Sequence, residues 1–101
     1  MTKMDAVQKA LNHFWATQAK YAKYGANDSE PRHVFCNLIR QAIKGKPVTV
    51  PSDAASWQLY VGSMSCGHAA RALHSSAKRV IDLINRYSSH TLENYLFSML
   101  D

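Results

Sequence analysis

Acidic residues are scarce in this chain: seven Asp and Glu stand against twelve Lys and Arg in 101 residues, a formal charge of +5. They are also dispersed, from Asp5 through Asp28, Glu30, Asp53, Asp82 and Glu93 to Asp101, and no pair has the spacing that sets two carboxylates on one helical face. General acid–base catalysis needs titratable groups converging on one pocket, so that chemistry is not indicated. Glycine is equally sparse, four residues spread singly, which excludes a glycine-rich phosphate loop. Serines are plentiful but none sits in a G-x-S-x-G elbow. The chain reads as non-enzymatic and without a cofactor.

Two cysteines, Cys36 and Cys66, are too few for a disulfide framework and read as buried thiols. Long apolar runs are missing, which excludes a membrane-spanning helix. The first residues mix Lys3, Asp5 and Lys9 into apolar positions, unlike a signal peptide, and no arginine precedes Arg32, unlike a mitochondrial presequence. The expected location is the cytoplasm. There the Asn27-Asp28-Ser29 sequon carries little meaning.

What is present is helical periodicity. Met4, Val7, Leu11, Phe14, Trp15, Gln18 and Ala22 recur at spacings of three and four, predicting a helix over 3–24 that stops at Gly25. Its other side holds Asp5, Lys9, His13, Lys20 and Lys23. A turn over Asn27–Pro31 leads to a second helix, capped by Ser29, with Val34, Phe35, Leu38, Ile39 and Ala42 inward and His33, Asn37, Arg40 and Lys44 outward; Gly45 and Pro47 end it. Residues 46–52 form an extended connector. Residues 53–64 are predicted as a helix, from the Ser52 and Asp53 caps and two alanines, although Trp57, Leu59 and Val61 also alternate as in a strand. A helix over 68–87 buries Ala69, Ala70, Leu73, Ala77, Val80, Ile81, Ile84 and Tyr87, and a last one over 90–100 aligns Leu92, Tyr95, Leu96, Met99 and Leu100.

The expected fold is therefore all-α, a single domain over 1–101 built as a bundle of four to five amphipathic helices. The alternative is α+β, with a short hairpin at 48–61.

His33-x-x-Cys36 and Cys66-x-His68 together supply four zinc-type ligands. Cys66 and His68 are two apart, about 200° on a helix, so the pattern favours a buried thiol beside a solvated imidazole, and no metal is expected. A helix-turn-helix over 53–87 fits poorly, because Gln58 or Ser63 falls where alanine belongs and His68 and Arg71 would enter the core. Basic faces remain: Arg40, Lys44 and Lys46; Arg71, Lys78, Arg79 and Arg86; and Lys20 and Lys23. Residues 1–50 hold eight Lys and Arg against three acids, and residues 51–101 four against four, so attraction to an acidic partner should centre on the first half. No aromatic is read as interleaving with these cations, which argues against stacking on single strands. Trp57 and Tyr60 are candidate aromatic anchors.

The leading expectation is a binding protein that associates stoichiometrically with a larger protein or nucleoprotein. Phage and mobile-element inhibitors, anti-CRISPR-like proteins among them, share its size and style. A basic nucleic-acid-binding regulator is one alternative. A homo-oligomer, with 92–100 as its seam, is another.

Overall fold

A computed structural model describes residues 3–25, 30–60, 64–87 and 89–100. The protein is all-α. Four helices, α1 (Lys3–Lys20), α2 (Glu30–Ile43), α3 (Met64–Arg86) and α4 (His90–Leu100), are joined by one 3-10 turn at Ala22–Tyr24 and by irregular segments, with no strand among the described residues. The periodic stripes are the buried ones. Val7, Ala10, Leu11 and Phe14 face inward from α1, Phe35, Leu38, Ile39 and Ala42 from α2, and Leu73, Ala77, Val80 and Ile84 from α3. Phe14 and Phe35 stack at 3.7 Å between ring centroids, with Trp15 edge-on to both. Each such ring pair adds about 0.5–1.5 kcal/mol beyond the area it buries.

α1 and α3 share the most extensive packing in the molecule. They run antiparallel: Lys3 lies by Tyr87, Lys9 and His13 share a cleft with Arg79, and the Tyr21 ring meets His68. Alanines at positions 69, 70 and 77 on the inner side of α3 keep that side thin enough for close helix packing. Ser76, buried on the same side, donates its hydroxyl hydrogen to the Ala72 carbonyl at 2.9 Å, so its burial leaves no polar atom unsatisfied.

Helix ends follow local chemistry. At the end of α2, Gly45 adopts φ +76°, its N–H donates to Ala42 and the Lys46 N–H donates to Gln41, the Schellman closure that a glycine before a proline favours. α1 stops sooner than expected, at Lys20. Gly25 is extended (φ −78°, ψ 148°), so it ends the following turn rather than capping α1 through a left-handed conformation. Ser89 caps α4 by accepting from the Leu92 N–H at 3.2 Å. The expected Ser29 cap, the Asn27–Ser29 turn and Gly62 lie outside the described residues.

The segment 46–60 corrects both sequence expectations for it: it holds neither a helix over 53–64 nor a hairpin at 48–61. The Asp53 cap does form, with its Oδ2 accepting from the Ser56 N–H at 2.8 Å. One turn later the coil closes, with Gln58 N–H on Ala55, Leu59 N–H on Ala54, and Gln58 itself at φ 60°. This repeats the Schellman pattern with a side chain in the left-handed position. Trp57 and Leu59 are both buried while Gln58 and Tyr60 are exposed. A continuing helix would turn Trp57 and Leu59 about 200° apart and leave one in water. The alternation was thus the governing signal, but its backbone partner is Gly25, which bridges Leu59, and not Val48–Val50. The result is a strap across the core. Trp57 is fully buried and donates its indole N–H to the Pro51 carbonyl at 2.7 Å. His74 Nδ1 lies 3.1 Å from the same oxygen. A carbonyl only accepts, so Nδ1 carries the hydrogen there.

α4 docks on α2. Leu92 and Leu96 are buried, and Tyr95, Met99 and Leu100 pack half-buried against the same core. Of the stripe read as a possible seam between copies, Leu92 and Leu96 are therefore covered within the chain and the other three residues in part.

Candidate functional site

At about 100° per residue, Lys9, His13 and Lys20 fall within about 40° of one another on α1, and His68, Arg79 and Arg86 within about 20° on α3. Each helix thus carries a row of basic side chains on its outer side, about 130° round from its apolar stripe. Antiparallel packing sets the two rows along opposite rims of one seam. All six side chains are exposed. Near the seam's middle lies a cleft of about 430 Å³, lined by Ala6, Lys9, Ala10, His13 and Arg79, with alanines for a floor and basic side chains for rims. At one end Lys3 and Arg86 flank the Tyr87 ring, at 5.6 and 6.0 Å from its centroid. They line a second cleft of about 410 Å³ with Ser89 and Thr91. Together α1 and α3 hold seven Lys and Arg against Asp5 and Asp82.

The other end of the seam is aromatic. Lys20 Nζ lies 5.4 Å from the Tyr21 ring, Lys23 Nζ lies 5.1 Å from that of Tyr24, and the two rings are 6.3 Å apart. Tyr21 is edge-on to His68 at 5.8 Å. The Tyr60 N–H donates to the Tyr24 carbonyl at 2.6 Å, which ties the strap to this end and leaves the Tyr60 side chain 54 % exposed. A hydrogen bond with Ser65 holds the Tyr24 hydroxyl below the ordinary phenol range; burial opposes this and the Lys23 charge adds to it.

The charge map read from the two halves of the sequence is corrected here. The cations of α3 lie alongside those of α1, so the basic surface draws on both halves; of the acids in the second half, Asp82 is on α3 itself, Asp53 on the strap and Glu93 on α4. The expected separation of cations from aromatics is also corrected. Lys20-Tyr21-Ala22-Lys23-Tyr24 interleaves them within the sequence itself, and folding adds Tyr60 and His68.

Of the residues singled out from sequence, Lys20, Lys23, Arg79 and Arg86 border the seam. Arg71 and Lys78 are exposed farther round α3, where Lys78 pairs with Asp82 at 3.3 Å. Arg40, Lys44 and Lys46 are exposed at the end of α2, with Arg40 donating to Asn37 Oδ1, and line none of the clefts described. Trp57 is no anchor for a partner: it is sealed in the core. Tyr60 stays available. The helix-turn-helix reading of 53–87 loses its first helix to the single turn at 53–58. Lys3, Lys9 and His13 were not singled out, although the angular row of Lys9, His13 and Lys20 was there to be found.

Cys36 and Cys66 are buried free thiols on α2 and α3, whereas His33 and His68 are exposed. Among the described residues no three of His, Cys, Asp and Glu gather as a metal site. Burial pushes the Cys36 thiol up, against the pull of Arg32 and Arg40, which keeps it protonated and a weak nucleophile at neutral pH. No helix among the described residues is long and apolar enough to cross a membrane. Comparison with protein families, with curated proteins and with solved structures finds no match, so the surface itself carries the functional reading.

Proposed function

We propose that this chain is a non-enzymatic, cytoplasmic binding protein that docks its α1–α3 face on a polyanionic partner, nucleic acid by itself or as part of a nucleoprotein. The observation that carries the reading is the pair of facing basic rows, Lys9 and Lys20 with His13 opposite Arg79 and Arg86 with His68, along one alanine-floored seam. Exposed charges on amphipathic helices are commonly just solvated, and a single row needs no further explanation. Two rows meeting on one seam concentrate positive potential where phosphates would lie, and this is the electrostatic footprint of backbone recognition. An inhibitor that occludes a nucleoprotein of host machinery could use the same surface.

The test is direct binding at low ionic strength to labelled DNA and RNA, with the wild-type chain and a Lys9→Glu/Arg79→Glu variant. Binding by the wild type that falls at least about tenfold in the variant supports the reading. Failure of the wild type to bind either polymer removes it. In that event a tagged chain that retains a stoichiometric partner after nuclease treatment would favour a purely protein partner.

A further inference from the structure

Resting on that reading, we infer that the nucleic acid held along the α1–α3 seam is single-stranded, with an unpaired base stacked on Tyr60 at the end where the strap meets the 3-10 turn. Three observations converge there. First, Tyr60 is a large aromatic side chain left more than half exposed, although Trp57 and Leu59 beside it in the strap are sealed in the core. A small protein has every reason to bury such a ring, and the alternating backbone instead presents it outward. Second, the backbone that carries it is anchored: the Tyr60 N–H is bound to the Tyr24 carbonyl at 2.6 Å, and the neighbouring Leu59 bridges Gly25. A platform for a base needs this kind of placement, because an untethered ring would lose conformational entropy on stacking. Third, the turn to which its backbone is tied carries lysines and further rings. Lys20 and Lys23 lie against Tyr21 and Tyr24, with His68 on the facing helix. A phosphodiester chain following the seam therefore reaches an aromatic surface where the cationic rows end.

Unpaired and paired nucleic acids differ in what they can offer that surface. Every base has a stacking face, but in a duplex the faces are already occupied by neighbouring base pairs. Only an unstacked base can use Tyr60. The seam agrees with this. Its cleft of about 430 Å³ is open, with Ala6 and Ala10 beside Lys9, His13 and Arg79, and offers a basic channel to one backbone. A basic track with aromatic rings at which bases stack is the general pattern of single-strand binding.

The experiment compares the affinity of the full chain for a labelled oligo-dT, for a duplex of the same length and for a single-stranded RNA, in the wild type, Tyr60→Ala and Tyr60→Phe. Far-UV circular dichroism melts of each variant confirm folding, which the exposed position of the ring favours. Tighter binding of single strands than of duplex is expected. Tyr60→Ala should lose about 5- to 150-fold for single strands and leave duplex affinity unchanged, and Tyr60→Phe should retain the wild-type affinity because it keeps the ring. Equal or tighter duplex binding, or a Tyr60→Ala variant that binds single strands like the wild type, overturns the inference while leaving the α1–α3 face as a polyanion surface. Absence of binding to any of the three overturns both.

Discussion

The α1–α3 pair and the 46–60 strap solve the burial of apolar surface in opposite ways. The pair does it by repetition: a long stripe on each helix, many modest contacts, and outer positions left to charge. The strap does it by singular contacts. One indole N–H on one carbonyl, one leucine bridging a glycine and one left-handed glutamine hold it in place. Redundant packing tolerates change on its outer side, so the pair can carry a surface optimised for a partner. Singular packing tolerates little, and the strap carries almost no charge.

Breaking that contrast is most costly in the strap. Trp57→Ala removes a fully buried ring and leaves the Pro51 carbonyl with His74 alone; a loss of about 3–5 kcal/mol in chemical denaturation is expected. Two charge reversals on the pair, Lys9→Glu/Arg79→Glu, should move the same denaturation curve by no more than about 0.5 kcal/mol per site, while weakening polyanion binding strongly. A stability loss there comparable to that of Trp57→Ala would mean that the cations hold the fold together rather than serve a partner. The two Schellman closures give a smaller and signed test. Gly45→Ala forces a Cβ into a left-handed conformation and should cost about 1 kcal/mol, whereas Gln58→Gly relieves one and should gain up to about 1 kcal/mol, read as opposite shifts of the denaturation midpoint.

The smallest expected effect is on pH dependence. The Ser56 backbone N–H holds the Asp53 carboxyl below its ordinary value of 3.8, with the Ser56 side chain adding to it. A depressed folded-state pKa stabilises the fold above the unfolded value, and that contribution disappears as pH falls through the folded one. Thermal melts below pH 4 should therefore show a slightly steeper acid loss for the wild type than for Asp53→Asn, which keeps a capping oxygen but does not titrate. Parallel curves would remove the carboxylate from the account.

Much of the fold was legible because the helical stripes are long. Over the 23 residues of α3 the apolar period repeats often enough that no other structure buries Leu73, Ala77, Val80 and Ile84 together. Residues 53–60 gave conflicting signals over one short stretch. The Asp53 cap and the alanines favoured a coil, and the Trp57–Leu59 alternation opposed it. The deciding fact, a backbone bridge to Gly25, lies 34 positions away and leaves no local trace. The surface was half legible for the same reason. Each cationic row can be found by projecting its own helix, but the meeting of the rows depends on antiparallel packing. Charge summed over halves of the chain could not reveal it, because α1 and α3 come from different halves.

A seam that attracts phosphates makes oligonucleotide affinity depend steeply on salt. With Lys3, Lys9, Lys20, Lys23, Arg79 and Arg86 each on a phosphate, a plot of log affinity against log salt should fall with a slope of about −4 for a single strand, and Lys9→Glu/Arg79→Glu should flatten it by at least about 1. A slope near zero, or one that the double variant leaves unchanged, would mean that the α1–α3 seam does not bind phosphates.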